Sequence, residues 1–167
     1  PNSLSNIISS EMELQEHNLD RTYDFSSIVI KYSKTLEQEI YLFMKTLLKF
    51  LIEKNKRIEN VSYSVQSKDF TVKDIFTNKP NFGTYKFILR DDLIRDTLEN
   101  SFDKSLIFFI QKKLVAYINF IQEIRNETVH GRPATLNEAN SVRAKILGVA
   151  QESVLIELVK NKKMITK

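Results

Sequence analysis

The sequence predicts an all-α protein, a four-to-five-helix antiparallel bundle with a small irregular or hairpin excursion at about 58–83. Three observations carry this. First, the 167 residues include three glycines and three prolines, far below the combined share of about 12% in an average chain. A sandwich or barrel needs a turn about every 8–12 residues and could hardly be built with so few breakers. Second, long stretches repeat apolar residues at spacings of three and four, the helical period. Third, most links between those stretches are short, which favours antiparallel neighbours.

Taken in order, residues 1–23 show no sustained period. They read as a mobile N-terminal lead with a short helix near Ser10–His17, and 24–167 as the bundle domain. The chain opens on Pro1 without an initiator Met, so it is expected to be part of a longer protein. The first strong helix covers about 25–54, where Ile28, Tyr32, Leu36, Ile40, Phe43, Leu47 and Leu51 trace one face. Asp24, Ser26 or Ser27 can cap its start. Residues 58–83 are the least helical: Val61, Tyr63 and Val65 alternate with serines, and Phe70 and Val72 alternate after a polar turn.

A second helix is expected at about 84–99 and a third at about 102–128, with Leu106, Ile110, Leu114, Tyr117, Ile121 and Ile124 inward. Gly131 can take the left-handed conformation that ends helices, and Pro133 follows where a helix has stopped. Thr135-Leu136-Asn137-Glu138 has the form of a capping box. A fourth helix is expected from there to about 160.

Composition excludes several kinds of chemistry. Cysteine is absent and histidine occurs twice, so there is no thiolate nucleophile or disulfide framework, and neither metal nor cofactor is expected. Charged residues interrupt every apolar run, so no membrane span is expected. The N-terminus has neither a basic region nor a cleavage signal, and the chain is expected in the cytoplasm. The net charge of +4 is uneven: residues 1–30 hold one base against five acids, residues 104–167 eleven bases against five acids. A basic C-terminal half suits a polyanion, although a solvated lysine-rich surface would look the same.

Imidazole is the natural proton shuttle near neutral pH. His17 lies in the polar lead without periodic context. His130 stands at the junction of the third and fourth helices, five residues after Arg125. On a continuous helix that spacing separates the two by about 140° around the axis. If the helix unwinds after Asn126 or Glu127, both can turn toward one point. A guanidinium offers a planar fork for phosphate oxygens, and an imidazole beside it can move a proton. Together they could hold and cleave a phosphodiester without metal. The structural alternative stays open: Arg125 complementing a helix dipole, Asn126 capping, His130 bonded to a carbonyl. Glu37 could orient Arg125 or be a surface carboxylate beside Lys34.

Arg125-Asn126, three residues, then His130-Gly131 resembles the signature of HEPN domains, the higher-eukaryote and prokaryote nucleotide-binding superfamily. Tyr32-Ser33-Lys34-Thr35-Leu36-Glu37 is similar to a Tyr-x-Lys-x-Leu-Glu pattern of bacterial members, and the capped helix carrying Leu147-Gly148 is similar too. The resemblance covers about 24–160. It implies a helical domain that pairs as a homodimer, with two motifs meeting in one cleft to form a metal-independent endoribonuclease. It implies RNA as substrate, Arg125 and His130 as catalytic residues, and Asn126 and Glu127 in support. Arg132, Lys112 and Lys113 are candidates for guiding the phosphate backbone. It also implies a place in toxin–antitoxin or anti-phage systems, with an antitoxin or further domains as partners. Members without activity serve as dimerisation, sensor or nucleotide-binding modules, which is the alternative reading. Another subgroup acts with a nucleotidyltransferase and carries Tyr before the His, where this chain has Val129.

Overall fold

The computed structural model describes residues 2–65, 67–129 and 132–166, with backbone alone for Asn2 and for 127–129. Helices hold most of them, as the breaker-poor sequence requires. The β structure among the described residues is one antiparallel hairpin. No helix among the described residues is long and apolar enough to cross a membrane.

The chain divides into two compact units, one from residues 1–40 and 120–158, the other from 41–119 and 159–167. In the first unit, α1 (Asn2–His17) precedes α2 (Ser26–Lys54), whose opening half belongs here. The expected mobile lead is therefore a helix, and it starts at Asn2 rather than near Ser10. Polar side chains tie it down. Glu13 accepts from Lys31 Nζ at 2.5 Å and from the Tyr23 hydroxyl at 2.8 Å. Ser3 donates to Glu39 at 2.6 Å. Glu11 accepts from the buried Tyr32 hydroxyl, and from Arg143 through Nε and Nη2 at 2.6 and 2.7 Å. The Arg143 guanidinium holds the Glu11 carboxyl below the usual carboxylate range against the cost of burial.

Asp24 accepts from the Ser26 N–H at 2.9 Å, as a capping residue should, and also from the Ala134 N–H at 3.1 Å. Phe25 N–H donates to the Ala134 carbonyl at 3.0 Å. The start of α2 is thus fastened to the segment before α7 (Leu136–Leu147). The core of this unit comes from Phe25, Ile28, Tyr32, Leu36, Ile40, Ile121, Val142 and Ile146, all buried.

The expected 136–160 helix is interrupted. α7 ends at Gly148, which takes φ +86°, and α8 (Val154–Ile165) restarts after Ser153, whose hydroxyl accepts from the Ile156 N–H at 3.3 Å. The apolar period continues across the break, which is why periodicity alone ran through it. The Leu147-Gly148 pair marks the true end.

The second unit holds the rest of α2 and the excursion expected at 58–83. That excursion is two 3₁₀ turns (Lys56–Asn60 and Val72–Phe76) around a hairpin of β1 (Ser62–Val65) and β2 (Lys68–Thr71). Tyr63 pairs with Phe70 and Val65 with Lys68. The Tyr41 hydroxyl donates to the Ile75 carbonyl at 3.1 Å, anchoring the second turn. The expected 84–99 helix is also split, into α3 (Thr84–Ile88) and α4 (Asp92–Ser101). Asp91 causes the split: its carboxylate accepts from the Ile94 N–H at 3.2 Å and makes a new helix start.

α5 (Lys104–Phe108) and α6 (Leu114–Val129) are joined without a break by a π-helical turn, Phe109–Lys113. Together they match the third predicted helix. Phe109 packs edge-on against Phe43 and Phe102 stacks on Phe50, with centroids 5.6 and 4.8 Å apart.

Candidate functional site

The site expected from the sequence starts on α6 in the first unit. Arg125 Nη1 donates to Glu37 Oε1 at 2.6 Å, an ion pair between residues 88 positions apart. Tyr32, Leu36 and Ile40 face the core on α2, which puts Glu37 about 100° from that row, on the flank. The Glu37 side chain is 13% exposed and that of Arg125 55%. A shielded carboxylate therefore grips one end of an exposed guanidinium. A guanidinium carries five N–H donors, and this bond uses one. Asn126, next in sequence, is exposed. Glu127 belongs to α6 by its backbone, and its side chain lies outside the description. His130 and Gly131 lie outside the described residues, so the structure does not bring His130 to Arg125 or separate them.

Arg132 forks onto Glu138, with Nη2 to Oε1 at 2.5 Å and Nη1 to Oε2 at 3.1 Å. Glu138 also closes the expected capping box: its carboxylate accepts from the Thr135 N–H at 2.8 Å, and Thr135 Oγ1 accepts from the Glu138 N–H at 3.3 Å. The Arg132 hydrogen bonds, then the Thr135 N–H, lower the Glu138 carboxyl to about 2. Arg132 is thus built into the start of α7.

No protein-family model, curated protein or solved structure matches this chain. His17 ends α1 with its ring stacked on Tyr23, centroids 3.8 Å apart, a packing role.

Lys112 and Lys113 belong to the second unit, in the π-helical turn, with Lys112 exposed and Lys113 half-buried. Lys112 lines an open groove of about 450 Å³ with Lys86, Arg90, Arg95, Gln111 and Asn119. Sequence reasoning named only Lys112 of these. Lys86 and Arg90, four apart, share a helix face and are a signal in the sequence; their approach to Lys112 depends on packing that no local pattern encodes.

Proposed function

We propose that the chain is a metal-independent endoribonuclease domain of the HEPN kind, acting as a homodimer on RNA. The reading extends to a cytoplasmic prokaryotic toxin or anti-phage system, with an antitoxin or further domains as partners. The observation that supports it best is the Glu37–Arg125 ion pair, which steadies an exposed guanidinium at the end of α6, immediately before the motif's His130. In this reading the RNA 2′-hydroxyl attacks the adjacent phosphorus. The P–O2′ bond forms and the P–O5′ bond breaks, leaving a 2′,3′-cyclic phosphate and a 5′-hydroxyl. His130 moves the proton, as base toward the 2′-oxygen or as acid toward the 5′-oxygen, a role worth about 10²–10⁴ in rate. Arg125 binds the phosphate and offsets its growing charge. Asn126 orients the phosphate or the neighbouring copy's motif, with Glu127 in support.

The test is incubation of the protein with mixed RNA in EDTA, beside a His130→Ala variant of unchanged helical signal. Cleavage to cyclic-phosphate ends by the first and none by the second supports the reading. Cutting by His130→Ala overturns the mechanism.

A second reading is a non-catalytic dimerisation, sensor or nucleotide-binding module. One observation favours it: Glu37 already neutralises Arg125, as a purely structural tie would. Under that reading wild-type protein leaves every RNA intact while still binding a nucleotide or a second copy.

A further inference from the structure

The groove in the second unit collects positive charge from three separate stretches of chain. Lys86 lies on α3 and Arg90 one turn later, Arg95 on α4, and Lys112 on the π-helical turn. No carboxylate lines it among the described residues. Among the described residues these cations pair with one acid, Asp92, whose Oδ1 lies 3.7 Å from Arg95 Nη1. Both side chains are at least half exposed, so this pair neutralises little. Arg90 and Lys112 make no ion pair among the described residues. Lys86 Nζ donates to Asn119 Oδ1 at 2.9 Å, which uses one of an ammonium's three donors. Like charges gathered with so little counter-charge repel one another, and their arrangement is relieved by an anion.

Gln111 supplies an independent observation. Its Nε2 is buried and has no acceptor among the described residues, although the residue lines the groove. A buried N–H donor without a partner is uncommon and costs free energy until one arrives. Gln111 and Lys112 sit together in the π-helical turn, an irregularity that frequently occurs at functional sites. Cations, carboxamides and an orphan donor make a wall of hydrogen-bond donors. Oxyanions bearing several acceptor oxygens are the matching ligand.

We infer that this groove binds phosphates, as an RNA chain or a free polyphosphate presents them, through Lys86, Arg90, Arg95 and Lys112, with the buried Gln111 Nε2 donating to the bound anion once its side chain turns into the groove. The site does not depend on the ribonuclease reading, since none of its residues belongs to the Arg125 motif. Its volume of about 450 Å³ suits a nucleotide-sized piece of ligand.

The experiment is fluorescence anisotropy of a short labelled 2′-O-methyl RNA, which lacks the nucleophile and cannot be cut. Inorganic pyrophosphate serves as competitor, and salt is varied from about 50 to 200 mM. Wild-type protein should bind with a steep salt dependence. Arg90→Glu with Lys112→Glu should weaken binding at least about tenfold and flatten the salt slope, because each lost phosphate contact removes about 0.7 from it on a single strand. Lys68→Glu with Lys104→Glu changes net charge equally at exposed positions outside the groove and should stay within about twofold of wild type. Gln111→Leu should keep the fold and weaken binding several-fold. If the double reversal loses helical signal, Arg90→Gln with Lys112→Gln replaces it.

Displacement by pyrophosphate assigns the groove to isolated phosphates, and retention of the RNA assigns it to the chain. Equal losses in the two reversed pairs, or no wild-type binding of either probe, overturns the proposal. The series is repeated in His130→Ala protein, so its result is independent of whether that residue cuts RNA.

Discussion

Glu37 grips Arg125 across 88 residues of sequence, carboxylate to guanidinium at 2.6 Å, and so ties α2 to α6 in the first unit. The tie has two separable consequences. It contributes modestly to stability, because exposed ion pairs are worth about 0.2–1 kcal/mol. It also restricts where the Arg125 fork can point. Glu37→Gln keeps the shape and removes the charge. If Arg125 acts on RNA, the variant should lose about tenfold to a hundredfold in kcat with a smaller change in KM, since a displaced fork costs the transition state more than the ground state. Single-turnover RNA cleavage measures this. A change in thermal midpoint alone would assign the pair to structure.

Glu138 predicts a pH dependence. Its carboxyl is lowered from an ordinary 4.5 to about 2 by Arg132 and the Thr135 N–H. A depressed acid stabilises the folded state above its unfolded value and ceases to do so as pH falls through the folded one. Glu138→Gln should therefore cost about 1 kcal/mol at pH 7, a figure kept small by partial exposure. The difference from wild type should shrink between pH 4.5 and 2. Thermal unfolding across that range is the measurement.

The loop after α7 predicts two substitutions of opposite sign. Gly148 has φ +86°, and a Cβ there would lie 2.8 Å from both Ser153 Cβ and Ser153 N. Gly148→Ala should cost about 1–3 kcal/mol. Ala150 has φ +60° with a Cβ already present. Ala150→Gly should relieve about 1 kcal/mol of left-handed strain and lose about half of that to unfolded-chain entropy, a small net gain. Denaturant titration of both variants tests the pair.

The contact of Glu11 with Arg143, one of those that hold α1, predicts a coupling. Glu11→Gln and Arg143→Ala should each loosen α1, and a double-mutant cycle should give about 1 kcal/mol of interaction at low salt, less at high salt. Hydrogen exchange in α1 should rise in either variant while the second unit's amides stay protected.

The expected helix near Ser10–His17 is the second half of α1, and its unforeseen first half, from Asn2, shows where hydrophobic reading of the sequence stops. Leu4, Ile8 and Met12 fall at helical spacing but are 64, 50 and 66% exposed. The buried positions are Ser10 and Leu14, and the helix is held by Glu11, Glu13 and Ser3. Apolar periodicity cannot see a helix held by ion pairs. By contrast α2, whose stripe is buried throughout, was legible almost to the residue. Asp91 is a capping residue type, but apolar residues at helical spacing flank it on both sides, and periodicity reads through the split. At the candidate site, Arg125 and its partner Glu37 were both visible as residue types. Their pairing was not, because contact across 88 residues depends on packing that no local pattern encodes.

The π-helical turn at Phe109–Lys113 has a consequence for comparing this chain with others. Hydrogen bonds in such a turn span five residues instead of four, so the helix from Lys104 to Val129 accommodates about one residue more than an unbroken α-helix with the same two ends. A relative lacking the turn would align correctly on Leu106 or on Ile121, and not on both without a gap. That one-residue gap would fall inside a helix, where alignment penalties are usually set to forbid it, next to Gln111 and Lys112.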